Sequence, residues 1–179
     1  MKEQHIYSQI RKLIENLTPF KNLKECEYCK VACKFTTNRA FLFDFEIKNY
    51  PRDKLIKIDG RYFIKFSNKK PVYCSYLLID KNGRKRCSIQ QEKPLFCVLA
   101  PVTVHGIKSE PFWIFDGECP LSSKKENIEN AKELVSKLEK NFDNAMLTEL
   151  IRIASTIEKN FPFEEKHIVL LKKIELKKK

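Results

Sequence analysis

Seven cysteines are the residues of this chain whose type and spacing point to chemistry. All of them lie between Cys26 and Cys119 of the 179 residues. The first three form a C-x2-C-x3-C group, and such spacing lets one short segment present several sulfurs to one ion. Thiolates select soft metals, so the pattern predicts zinc or iron, the latter including a [4Fe-4S] cluster. The predicted ligands are Cys26, Cys29, Cys33, Cys74, Cys87, Cys97 and Cys119.

Disulfides and inert buried thiols are the alternatives to metal binding. Seven is an odd number, so complete disulfide pairing would leave one thiol over. Residues 1–7 carry no apolar segment of the kind that opens a secretory signal. A cytoplasmic location is therefore expected, and thiols stay reduced there. These observations favour a metal or cluster over disulfides.

The count of sulfurs leaves the form of the site open. Seven cysteines exceed the four of one tetrahedral site and fall short of the eight that two such sites need. A two-metal cluster with bridging thiolates and a four-cysteine iron–sulfur cluster with spare thiols both fit. His105 could complete a site, although a solvated loop histidine beside Gly106 is the favoured interpretation.

The composition bounds the other partners. The net charge is +12, which is compatible with a nucleic-acid partner, but the lysines alternate with glutamates and favour a solvated surface. No apolar run approaches the ~20 residues of a membrane span, so no membrane partner is expected. The four glycines are too far apart to build a P-loop or a dinucleotide-binding loop.

Hydrophobic periodicity predicts helices towards both ends of the chain. Apolar residues recur at helical spacing over residues 4–17, and two later apolar faces predict helices separated by a break at residues 141–144. Ser123 and Glu126 match a capping box for the first of these two helices. Residues 164–176 are expected to form a last helix.

Short strands are predicted between these helices. Apolar residues alternate over residues 41–47, and Asp59-Gly60 and Asn82-Gly83 predict two hairpins. Pro94 predicts the start of a short helix.

The second hairpin bears on the predicted site. With a two-residue turn Cys87 would face Leu78, and Cys74 would lie about 13 Å further along. The strand must therefore bend, or the two thiols serve different sites.

The expected fold class is α+β, with a small cysteine-rich, metal-stapled core of short hairpins packed by N-terminal and C-terminal helices. We expect one domain, residues 1–179, made of a cysteine-rich core at residues 20–120 and a helical part at residues 121–176. The core is expected to be thin in apolar contacts of its own, so that metal binding would contribute to its stability.

Four further elements follow the cysteine triplet in order, and with it they resemble a known family. They are Cys74-x-x-Leu77, Cys87-x-Ile89, Lys93-Pro94-x-x-Cys97 and Pro101. Over residues 26–120 this order resembles the YkgJ-like family, described as a zinc- or iron-chelating domain with a CxxCxxCC signature. The chain departs from the family pattern in the spacing of its triplet, which lacks a doubled cysteine, and at Gln90, Lys93 and Val98.

The resemblance implies a metal-binding protein whose seven cysteines are candidate ligands. The family is similar in its cysteine pattern to flagellin lysine methylases thought to carry an iron–sulfur cluster. A protein lysine N-methylase-like enzyme is therefore one alternative, and a structural zinc module of a basic nucleic-acid-binding protein is another. The spacing singles out no catalytic residue, so it leaves open whether the protein is an enzyme.

Overall fold

The computed structural model describes residues 2–17, 19, 40–66, 73–160 and 168–177. Within them, helices are combined with small antiparallel sheets, as the expected α+β class requires. The α-helices are α1 (Lys2–Leu17), α2 (Leu95–Leu99), α3 (Lys125–Asn141) and α4 (Asn144–Asn160). The strands are β1 (Leu55–Ile58), β2 (Arg61–Ile64), β3 (Leu77–Ile79), β4 (Lys85–Cys87), β5 (Val102–Ile107), β6 (Glu110–Asp116) and β7 (Ile168–Lys173). Short 3-10 helices cover Asp44–Asn49, Arg52–Lys54 and Pro120–Ser123.

A three-stranded sheet in the order β5-β6-β7 lies at the centre of the described fold. Helix α4 packs against β5 and β6, and α3 packs against β7 and β6. Val102 pairs with Phe115 and Val104 with Trp113, so four buried side chains stand next to each other on one face. The sequence patterns predicted no strand over residues 102–116.

One large apolar cluster joins the cysteine region to the C-terminal helices. It contains Phe41 and Phe96 from the cysteine region, Trp113 from β6, and Leu134 and Leu150 from α3 and α4. The expectation of a thin core is therefore wrong for the described part of residues 20–120. Packing against the helices stabilises this region, since each large apolar side chain removed from water contributes roughly 1.5–3 kcal/mol.

The predicted strand over residues 41–47 is mostly a 3-10 helix. Phe41 does form an isolated antiparallel bridge with Phe63, but the chain then turns into Asp44–Asn49. The Glu46 carboxylate accepts the Phe43 N–H at 3.1 Å, the contact that a residue three places into a helix makes with its cap. This local contact overrides the apolar alternation.

The predicted last helix is also wrong, because Ile168–Lys173 forms β7 beside β6. Its side chains alternate as in a strand: Val169 and Leu171 pack against the large cluster, while Leu170 is 51% exposed. The capping box fails too. The Ser123 hydroxyl donates to the Pro120 carbonyl oxygen at the end of a 3-10 helix, and α3 begins at Lys125.

Helix α1, both hairpins, the short helix after Pro94 and the break between the two long helices are confirmed. At that break the Asp143 carboxylate accepts the Met146 N–H at 2.8 Å and caps α4.

A buried carboxylate ties the Asp44–Asn49 turn to the start of α2. Glu46 is 0% exposed, and its second oxygen accepts the Leu95 N–H at 2.9 Å. Burial raises its pKa from 4.5 to about 7, although the two N–H groups and the Arg11 charge oppose that rise. The folded protein therefore holds a proton on Glu46 at pH values where the unfolded chain has released it.

We expect the free energy of unfolding to fall as the pH rises from 4.5 to about 7, and then to level off. The loss attributable to Glu46 is on the order of 3 kcal/mol. Denaturant titrations across this range, on the wild type and on Glu46→Gln, measure it by difference. A variant with the same pH slope as the wild type would contradict the assignment.

Candidate metal centre

Cys74 and Cys87 lie at the base of a ribbon formed by β3 and β4. Cys87 pairs with Leu77, so the expected pairing with Leu78 is wrong by one residue. The reason is the turn: Asp80 still bonds with Arg84, which leaves a three-residue loop at 81–83. Gly83 has a φ of 76° and supplies the left-handed residue that such loops need.

The chain bends just before β3, and this bend brings the two sulfurs within electrostatic reach of each other. The Leu77 N–H donates to the Cys74 carbonyl oxygen at 3.0 Å, which closes a turn over residues 74–77. The Tyr76 carbonyl oxygen then accepts the N–H of Ser88, the residue after Cys87, at 2.8 Å. The sequence left open whether the strand before Cys87 bends or the two thiols serve different sites. The structure shows the bend, at residues 74–77.

The Cys74 sulfur has the surroundings of a thiolate ligand. Burial raises the pKa of its thiol, the nearby Cys87 sulfur raises it further, and the backbone N–H groups of Tyr76 and Leu77 oppose that rise. Without a cation the thiol therefore stays protonated at neutral pH, which is unlike the lowered pKa of a reactive cysteine. N–H groups directed at a sulfur are the outer-shell contacts that orient and stabilise metal-bound thiolates.

Cys97 belongs to the same part of the molecule. It lies on α2, which begins after Pro94 as predicted. Cys74 and Cys97 are both half-buried, and both pack against a small apolar cluster. This small cluster consists of Ala40, Leu42, Tyr50 and Ile64.

Three side chains hold the backbone that leads from Cys87 to Cys97: one from α1 and two from the 3-10 helix Asp44–Asn49 and the residue that follows it. The Tyr50 hydroxyl donates to the Glu92 carbonyl oxygen at 2.6 Å, and Arg11 on α1 donates to the Lys93 carbonyl oxygen at 2.9 Å. Two residues after Lys93, the Leu95 N–H donates to the Glu46 carboxylate. Sequence reasoning missed all three, because side-chain to backbone bonds over such separations have no local pattern.

His105 and Cys119 lie elsewhere in the fold. His105 is on β5 opposite Phe112 and is 3% exposed, so the favoured interpretation as a solvated loop histidine is wrong. Its Nδ1 donates to the Gly106 carbonyl oxygen, and α4 packs against this strand. Cys119 packs against the large cluster, whereas Cys74 and Cys97 pack against the small one.

The remaining predicted ligands, Cys26, Cys29 and Cys33, lie outside the described residues. Among the residues that the structure describes, no group of three or more His, Cys, Asp or Glu side chains is gathered closely enough to hold a metal. The described fold therefore brings the Cys74 and Cys87 sulfurs close enough to interact electrostatically, and Cys97 packs against the same small cluster as Cys74. The donor type fits zinc or iron, and further ligands would come from the rest of the chain.

No family model matches this chain, and neither the curated proteins nor the solved structures include a match to it. The resemblance to the YkgJ-like family stays a prediction. Within the described residues, no helix is both long and apolar enough to cross a membrane.

Tyr50→Phe should loosen the backbone before α2, because it removes the hydrogen bond to Glu92. We expect a loss of about 1 kcal/mol in the free energy of unfolding and faster alkylation of Cys97 in the metal-free protein. Mass spectrometry of timed labelling measures the rate at each cysteine, and Cys119 serves as the internal control. Unchanged Cys97 labelling would show that the Tyr50 bond does not hold this segment.

Proposed function

We propose that the protein binds zinc or iron through cysteine thiolates. Cys74, Cys87 and Cys97 are the ligands from the described fold, and Cys26, Cys29 and Cys33 are those from the N-terminal triplet. The observation that carries the proposal is the turn over residues 74–77, which brings the half-buried Cys74 near Cys87 at the base of the ribbon. Cys119 packs against the large cluster and stays a predicted ligand.

The raised thiol pKa favours a metal over a catalytic nucleophile. A nucleophilic cysteine needs a lowered pKa, and Cys74 has a raised one. A bound cation reverses this, because coordination removes the thiol proton outright. The two nearby thiols would then become a pair of thiolate ligands, because the cation offsets the repulsion between their charges.

Two forms of the site agree with this donor set. Four of these six thiolates in a tetrahedron would hold one zinc ion, and four of them would also hold a [4Fe-4S] cluster. Zinc would contribute stability, whereas a cluster would supply electron transfer. The residues of the chain act in the same way in both: they present sulfurs, donate N–H groups to them and exclude water.

A metal at the base of the ribbon would also order the ribbon. Residues 78–84 and Arg86 are exposed, so the strands bury little of their own surface. A two-stranded hairpin is marginally stable in water. Because ligand binding to the folded form stabilises it, metal binding should tie the ribbon to the small cluster.

The first test compares metal content among variants purified without oxygen. Cys74→Ser and Cys29→Ser should each lower the bound metal, because both residues belong to one site, and Ser88→Ala is the matched control next to Cys87. Elemental analysis gives the stoichiometry, and absorbance near ~400 nm distinguishes a cluster from zinc. Full metal content in both cysteine variants would refute the proposal.

The second test locates the effect of the metal in the fold. Chelation with reductant present should increase amide hydrogen exchange over residues 74–89. The sheet β5-β6-β7 should keep its protection, because apolar packing against α3 and α4 holds it. Equal exchange at residues 74–89 before and after metal removal would show that the metal lies elsewhere.

A further inference from the structure

The ribbon of residues 77–87 extends from the body of the described fold. Leu78 and Ile79 are 44% and 49% exposed, although both are large aliphatic side chains. From the Leu77–Cys87 pair to Asn82 the ribbon is about 16 Å long, at ~3.3 Å per residue. An exposed element of this length is available to a partner.

Both faces of the ribbon carry a cation beside an aliphatic side chain. Residues directly opposite each other share a face, so Leu78 lies beside Arg86 on one face and Ile79 beside Lys85 on the other. Lys81 in the loop and Arg84 just after it add two more cations.

Asp80, the single acidic residue of the ribbon, stabilises the turn. The Asp80 carboxylate accepts the backbone N–H groups of Asn82 and Arg84, at 2.9 and 3.0 Å. These bonds keep the end of the ribbon in one shape, and the ribbon as a whole remains basic.

We propose that this ribbon binds duplex DNA by entering the major groove. That groove is about 12 Å wide and admits a two-stranded β-ribbon. Its two walls are phosphate backbones, so the exposed cations Lys81, Arg84 and Arg86 would meet negative charge there. Lys85, on the other face, lies over the Tyr73 ring at 5.4 Å. Leu78, on the face that it shares with Arg86, can contact thymine methyl groups on the groove floor. The net charge of +12 favours association with the same polyanion.

Other anionic partners fit this ribbon less well. The deep major groove of A-form RNA is too narrow for side chains to read. A hairpin that enters a lipid surface needs an apolar end, and this one ends in Lys81, Asn82, Gly83 and Arg84. The aliphatic pair lies behind that charged loop, where a groove rather than a bilayer would contact it.

Fluorescence anisotropy of the full-length protein with a labelled duplex of about 20 base pairs, over a series of salt concentrations, tests the proposal. The double variant Lys81→Ala/Arg86→Ala should lower the affinity about tenfold and make the slope of log affinity against log salt shallower by about 1.8, or ~0.9 for each lost phosphate contact. The matched control is Lys125→Ala/Lys137→Ala on α3, which removes the same charge from exposed positions. The control should keep the affinity within about threefold.

Leu78→Ser gives an independent check, because it should weaken binding and leave the salt slope unchanged. Circular dichroism should be the same for all variants. Wild-type binding by the Lys81/Arg86 variant, or an equal loss in the control, would overturn the proposal. So would tighter binding to single-stranded RNA or to anionic phospholipid vesicles than to the duplex. These experiments measure DNA affinity, so a result that overturns the DNA proposal would leave the metal assignment untouched.

Discussion

A negative charge on Cys74 is unfavourable at the base of the β3–β4 ribbon unless a cation lies beside its sulfur. Cys74 is half-buried, and burial and the nearby Cys87 sulfur both raise the pKa of its thiol. Backbone N–H groups from Tyr76 and Leu77 oppose this rise, which is the arrangement expected around a coordinated thiolate. The proposed metal assignment rests on this constraint, and a bound metal would in turn order the ribbon.

The rest of the fold supplies a rigid support for the site. The sheet β5-β6-β7 and the helices α3 and α4 form the large apolar cluster, to which Phe41 and Phe96 also belong. Glu46 connects this cluster to the start of α2, which carries Cys97. The proposed metal would therefore add to a core that is already packed, and its effect should be local to the ribbon and the small cluster.

Some parts of this arrangement were readable from the sequence, and others were not. Asp59-Gly60, Asn82-Gly83 and Pro94 predicted local structure correctly, because turn and helix-start chemistry depends on near neighbours. Glu46 and β7 were missed, since one acts through a bond to Leu95 and the other becomes a strand by pairing with β6. The one-residue error at Cys87 came from the loop length, which the Asp80 side chain sets.

X-ray absorption at the metal edge, on full-length protein purified without oxygen, would show directly whether sulfur surrounds the metal. We expect a sulfur shell at about 2.3 Å from the metal, and we expect Cys74→Ser to replace part of that shell or to abolish metal binding. A shell of nitrogen and oxygen that Cys74→Ser leaves unchanged would contradict cysteine coordination.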